Sequence, residues 1–192
     1  HAQGTGEPQR GTRFEPAKDP LDAWMDALPG SHRAFIDSST MPGGANAVRY
    51  ASNILTVYAD DYEGDVSDYA MIVCFRHTST PYAFNDAVWA KYGALFSRNA
   101  DPVPTANPMN FPNAANGQNT LGSLIDRGVH FAICQRATRS YSQRLASATG
   151  TAFEEVYAEL LANPITNGRF VPAGVMAATR AQEYRYSLLY AE

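Results

Sequence analysis

The residues best suited to nucleophilic or sulfur chemistry in this 192-residue chain are two cysteines, Cys74 and Cys134. Cys134 closes a mostly apolar run over 129–133 that predicts a buried strand. Ligands of open α/β sheets gather at the carboxyl ends of strands, so a thiol there could act as a nucleophile or carry sulfur. Arg136 and the start of the next helix would stabilise its thiolate. The alternative is that Cys134 is a small buried hydrophobic side chain, as free cysteines often are.

A second candidate pair, Arg76 and His77, follows the apolar run at 69–75. His77 could serve as a general base or a metal ligand. The alternative is a loop histidine that is hydrogen-bonded to the backbone. We expect one site, with Cys134 as its catalytic residue. The binding residues predicted around it are Arg76, His77, Asn85, Arg136 and Thr138.

Cys74 lies in the middle of its apolar run and is interpreted as core packing. In a flavodoxin-like strand order, the first strand would separate the strands of Cys74 and Cys134. Their Cα atoms would then be ~10 Å apart, given a strand spacing of ~4.8 Å. A disulfide tolerates at most ~7 Å, so we predict two free thiols.

No motif for a metal or a cofactor stands out, so we predict neither a bound metal nor a cofactor. His77, Cys134 and Met109 have soft or borderline ligand atoms, but no CxxC or HxxxH spacing accompanies them. The GxSxG, GxxxxGK[ST] and GxGxxG signatures do not occur. Whether the protein is an enzyme therefore stays open at this stage.

Charge and hydropathy argue against two classes of partner. The formal net charge is -4 and the basic residues are scattered among acids, so the chain has no electrostatic footprint for nucleic acid. No apolar run approaches the roughly 18 residues that cross a bilayer. We predict neither a nucleic-acid partner nor a membrane span.

Apolar strands alternate with amphipathic helices along residues 21–192, which predicts one α/β domain. Right-handed crossovers would place helices on both faces of a mostly parallel five-stranded sheet, a three-layer sandwich. Residues 1–20 are polar and rich in Gly and Pro, and they predict an extended N-terminal arm. Residues 97–118, rich in Asn and Pro, predict a long loop that either covers a site, contacts a partner or is a surface insertion.

Three segments form a recognisable ordered set: the helix at 46–55 with Arg49 and Asn53, the strand at 128–134 that ends in Cys134, and residues 170–175 followed by Arg180, Ala181, Gln182, Glu183 and Tyr186. Together they resemble the DsrE/DsrF-like family over roughly residues 33–190. The segment at 77–92 is similar to the exported members of that family, which carry a twin-arginine leader.

The resemblance implies a five-stranded sheet and a homo-oligomer, often a trimer or a hexamer. It also implies that Cys134, the only residue matching the family's sulfur-carrying position, would hold sulfur as a persulfide. The chain starts at His1 without an initiator Met, so either a leader was removed or the sequence was trimmed. We expect a periplasmic or secreted protein whose leader was removed.

The leading hypothesis is an exported DsrE-like domain that binds a small ligand or sulfur species at the strand ends. The competing hypothesis is a non-catalytic oligomeric binding or structural protein, in which Cys134 is buried and the arm and the loop at 97–118 form assembly contacts. Aromatic residues make up 11% of the chain, and such residues are favoured at interfaces. A metal-binding redox protein ranks last.

Overall fold

Five parallel strands form one sheet at the centre of the computed structural model, which describes residues 13–192. Residues 1–12 of the predicted arm lie outside the described residues. The sheet has the strand order β4-β3-β2-β1-β5. The strands are β1 His32–Ser38, β2 Tyr69–Phe75, β3 His130–Cys134, β4 Gly168–Val171 and β5 Ser187–Ala191.

Helices cover both faces of this sheet, so the predicted α/β three-layer sandwich is confirmed. The α-helices are α1 Ala23–Ala27, α2 Met41–Asp61, α3 Asp86–Phe96, α4 Leu121–Asp126, α5 Gln135–Thr149, α6 Phe153–Ala162 and α7 Gly174–Glu183. Short 3₁₀ helices span Val66–Asp68, His77–Ala83 and Pro108–Asn110. Within residues 13–192, no helix combines the length and apolarity needed to cross a membrane.

Strand β2 shows why the sequence forms this arrangement. Met71, Val73 and Phe75 pack into the core that α2 and α4 share, on one face of the sheet. Ile72 and Cys74 pack on the opposite face, with residues of α7. Because side chains alternate between the two faces of a strand, an unbroken apolar run is buried only if both faces are covered.

The predicted flavodoxin-like strand order is wrong. In the structure β1 lies between β2 and β5, and β2 pairs directly with β3. The last strand, β5, pairs with the free edge of β1. The apolar pattern of a strand does not specify this pairing, because the pattern indicates which residues are buried and not which strand lies beside them.

The two thiols are free, as predicted, although not for the reason that the flavodoxin-like order supplied. Cys74 lies opposite Ala132, and Cys134 comes two residues later on the adjacent strand and on the same face. Two residues along a strand and one strand across give a Cα separation of about 8 Å. This offset also exceeds the ~7 Å that a disulfide tolerates.

The described end of the N-terminal arm is anchored on α7. The carbonyl oxygen of Ala17 accepts hydrogen bonds from Arg180 and from the Tyr184 hydroxyl. Arg180 is itself held by Asp22, whose carboxylate lies 2.7 Å from its Nε. At Ala17, therefore, the arm contacts its own domain, and its predicted part in assembly stays a prediction.

The loop at 97–118 also packs on its own domain. The buried Asn107 amide donates hydrogen bonds of 2.8 Å to the carbonyl oxygens of Tyr82 and Phe84. Gly93 of α3 lies so close to the Pro104 carbonyl that a Cβ atom there would collide with it. The many asparagines of this loop thus replace the backbone hydrogen bonds that an irregular segment cannot make with itself.

Replacing Gly93 with Ala should lower the free energy of unfolding by about 1–3 kcal/mol, because the added methyl overpacks the contact between α3 and the loop. Gly122 of α4 is the matched control, since the nearest atom to a Cβ there is 3.9 Å away. Gly122→Ala should stabilise the protein by about 0.5–1 kcal/mol through helix propensity. Urea unfolding measures both, and equal effects of the two substitutions would contradict the packing of the loop on α3.

Candidate functional site

A cavity of about 550 Å³ opens at the carboxyl ends of β2 and β3, beside the start of α7. Helices begin where parallel strands end, so their N-terminal N–H groups gather at this edge of the sheet. The residues that line the cavity are Arg76, His77, Cys134, Arg136, Ala137, Arg139, Ser140, Gln143, Ala173, Gly174 and Val175.

Cys134 is the N-cap residue of α5. Its Sγ accepts a hydrogen bond from the Ala137 N–H at 3.4 Å. The residue is only 7% exposed, yet it belongs to the cavity wall. The sulfur atom therefore lies at the positive end of the α5 dipole, beside the N–H groups of the first turn.

Arg76 forms a fixed part of the cavity wall. Its Nε and Nη2 atoms each donate to the carboxylate of Asp37, with shortest distances of 2.8 Å. This interaction raises the pKa of Arg76, and the Tyr190 ring lies 5.9 Å from the guanidinium carbon. Asp37 is buried at the end of β1. The charge of Arg76 is therefore largely balanced within the protein.

The remaining positive charges of the cavity come from Arg136 and Arg139, one turn apart on α5. Arg139 lies over the rings of Phe153 and Tyr157, with 4.8 and 5.5 Å from the guanidinium carbon to the ring centroids. Helix α5 contains neither Asp nor Glu. With Arg76 balanced by Asp37, these two arginines leave the cavity with a net positive charge suited to an anion.

His77 faces the same cavity from the first position of its 3₁₀ helix. Its backbone has a φ of 51°, a left-handed conformation that residues other than glycine seldom adopt. Residues held in such conformations are concentrated at functional sites. The side chain is exposed, which makes it available to a ligand in the cavity.

The structure therefore brings together four of the six predicted site residues: Arg76, His77, Cys134 and Arg136. Asn85 does not line the cavity, because its side chain caps α3 through the Val88 N–H. Thr138 is buried behind the cavity wall, where its hydroxyl donates to the Cys134 carbonyl oxygen at 3.0 Å. Thr138 therefore supports the end of β3 without reaching the cavity.

Cys74 differs sharply from Cys134 in its surroundings. It is fully buried. Burial raises the pKa of the Cys74 thiol well above its ordinary value, and the nearby Asp37 carboxylate raises it further. A Cβ atom on Gly174 would lie 3.1 Å from its sulfur, so α7 closes directly over it. Cys74 is thus a core side chain in the protonated form.

Sequence reasoning missed Asp37 and Arg139. Asp37 is buried near the end of β1, directly after the apolar residues 34–36, and a carboxylate in such a place needs a cationic partner, which Arg76 supplies. Arg139 follows Arg136 by three residues, and residues so spaced on a helix are neighbours. The absence of acids from the whole of α5 was the available signal.

The metal hypothesis finds no ligand set in residues 13–192, which contain no group of three or more His, Cys, Asp or Glu residues able to hold a metal ion. Met109, one of the three residues considered as metal ligands, is buried in the hydrophobic core and does not line the cavity with Cys134.

Comparisons with protein-family models, with curated proteins and with solved structures found no match to this chain.

Iodoacetamide should alkylate Cys134 in the folded protein and leave Cys74 unmodified, because only the Cys134 thiol reaches the cavity. Peptide mass mapping locates the label, and Cys134→Ala isolates the reactivity of Cys74. In that variant, labelling should begin only when urea unfolds the protein. Equal protection of both thiols would instead favour a packing role for Cys134.

Proposed function

We propose that this protein binds a small anionic sulfur compound in the cavity and carries sulfur on Cys134. The observation that supports this most directly is the thiol of Cys134, which caps α5 at the wall of a cavity whose unbalanced charges are the arginines of α5. A DsrE-like sulfur carrier exported from the cytoplasm would need a nucleophilic thiol in this place.

Charge selects the type of ligand in this proposal. Arg136 and Arg139 would pair with carboxylate or sulfonate groups, because a guanidinium presents several donors in one plane. Arg76 would shape the wall rather than bind, since Asp37 already occupies its donors. His77, which also lines the cavity, would supply or take up a proton.

The chemical step needs no external oxidant. The Cys134 thiolate attacks the terminal sulfur of a persulfide RS–SH, the donor S–S bond breaks, and a new S–S bond forms on Cys134. The donor leaves as the thiolate RS⁻ and takes up, through His77, the proton that the new Cys134–S–SH group gives up. The helix N-terminus that holds the sulfur of Cys134 would also stabilise the anionic persulfide product.

Incubation with glutathione persulfide, a donor with two carboxylates, should add one sulfur atom to Cys134, as seen by intact mass spectrometry and peptide mapping. Cys134→Ser should remain unmodified. Arg136→Gln and Arg139→Gln should each slow the transfer about tenfold, equivalent to about 1.4 kcal/mol of barrier.

Arg144→Gln provides the matched control, since Arg144 lies on the same helix but does not line the cavity. Sulfur transfer from the persulfide of the neutral thiol mercaptoethanol should proceed at a rate that does not depend on Arg136 or Arg139. Sulfur uptake that is equally fast in all variants, or that occurs on Cys74, would overturn the proposal.

We also propose a homo-oligomer, on the basis of the exposed edge strand β5. Leu188, Leu189 and Tyr190 are 43%, 38% and 49% exposed, and β5 pairs only with β1 within residues 13–192. Exposed apolar edge strands are normally covered, because their free N–H and C=O groups invite pairing with another chain. Pairing of β5 across a two-fold axis would suit a hexamer better than an isolated trimer.

Light scattering of the full chain should give the mass of an oligomer, with a hexamer expected. Leu189→Lys should reduce that mass, because lysine on an edge strand opposes pairing. Phe111→Lys in the loop at 97–118 and removal of residues 1–20 test the other predicted contacts. A monomer at micromolar concentration would contradict the proposal, and an unchanged mass for Leu189→Lys would exclude β5 as the interface.

A further inference from the structure

We infer that a second site, a cleft of tyrosines at the amino ends of β1 and β2, binds a small organic ammonium ion. This aromatic cleft has a volume of about 670 Å³ and lies at the edge of the sheet opposite Cys134. The residues that line it are His32, Asn53, Ile54, Val57, Tyr58, Tyr62 and Tyr69.

The rings of the aromatic cleft form a continuous surface. His32 begins β1 and Tyr69 begins β2, and their ring centroids are 5.0 Å apart. Tyr58, near the end of α2, meets the Tyr69 ring edge to face, also at 5.0 Å. The Tyr62 ring follows at 6.1 Å from Tyr58 and is 74% exposed. Four of the seven residues that line the cleft thus belong to one aromatic cluster.

The local backbone holds Tyr58 in place. Its hydroxyl donates to the carboxylate of Asp68 at 3.0 Å. The chain turns back after α2 so closely that a Cβ atom on Gly64 would collide with the Tyr58 ring, and the Gly64 N–H donates to the Tyr58 carbonyl oxygen at 3.0 Å. Only glycine allows the backbone to lie flat on the ring at this point. The central ring is thus preorganised for binding.

Charge decides which ligand suits the aromatic cleft. Residues 57–69 include five acidic residues and no Lys or Arg. Asp68 and Asp65 lie near enough to Tyr58 that their carboxylates contribute to raising the pKa of its hydroxyl, with the hydrogen bond to Asp68 as the largest cause. These carboxylates place negative charge beside Tyr58, whereas the unbalanced side chains at the Cys134 cavity are arginines.

The position of Asp60 and Asp61 adds to this argument. Both lie in the last turn of α2, which contains no basic residue. The helix dipole is negative at that end and disfavours carboxylates. A cation bound beside these residues would offset the unfavourable interaction.

The walls of the cleft suit an organic cation better than a metal ion. Aromatic faces attract ammonium groups through their quadrupole, and rings around a quaternary ammonium are a recurring arrangement. Ile54 and Val57 add aliphatic surface for the methyl groups of such a ligand. Residues 13–192 offer no metal-binding group of three His, Cys, Asp or Glu side chains here or elsewhere.

Choline and its neutral isostere 3,3-dimethylbutan-1-ol test the inference directly, because they have the same shape and differ in charge. Titration of the full chain, followed by NMR of the tyrosine rings, should show choline binding roughly fivefold or more tighter than the alcohol, as expected for cation–π attraction. Equal affinity would overturn the inference in favour of a merely apolar cleft, and failure of both probes to bind would also overturn it.

Two substitutions locate the bound cation. Tyr62→Leu removes an exposed ring, and Asp68→Asn removes a charge while keeping an oxygen that accepts from Tyr58. Each should weaken choline binding at least about threefold, in line with a single cation–π or ionic contact. Phe111→Leu and Asp126→Asn, exposed residues outside the cleft, are the matched controls and should bind choline normally. Equal affinity of the variants and the controls for choline would show that choline does not bind in the cleft.

Discussion

The parallel pairing of β1, β2 and β3 is the constraint on which the rest of the structure depends. Parallel neighbours cannot be joined by a tight turn, so a helix must carry the chain back across one face after each strand. All carboxyl ends then meet at one edge of the sheet and all amino ends at the other. Cys134 and His77 lie at the first edge, and His32 and Tyr69 begin strands at the second.

This polarity also separates charge. At the carboxyl edge, the N-terminus of α5 and its arginines create a positive environment around Cys134. At the amino edge, the end of α2 and the acids that follow it create a negative one around Tyr58. A chain with a formal net charge of only -4 thus has arginines at one cavity and carboxylates beside the other. Net charge alone carries no information about either.

The two cysteines show how far the environment controls chemistry. Cys74 and Cys134 lie on adjacent strands and on the same face of the sheet, two residues apart in register. Gly174 and the Asp37 carboxylate surround the first thiol, which burial keeps protonated. The second reaches a cavity because β3 ends at Cys134 and α5 begins immediately after it. A displacement of two residues along a strand separates a core side chain from a candidate nucleophile.

The sequence by itself determined the elements of the fold, because strands such as the apolar run at 69–75 and the amphipathic helices between the strands are specified by local periodicity. It also pointed to Arg76, His77, Cys134 and Arg136, since residues at strand ends share an edge. Only the tertiary structure decided that β5 pairs with β1, that Asp37 neutralises Arg76, and that distant rings form the aromatic cleft. These contacts join segments far apart in the chain, and no local pattern of residues encodes which of them become neighbours.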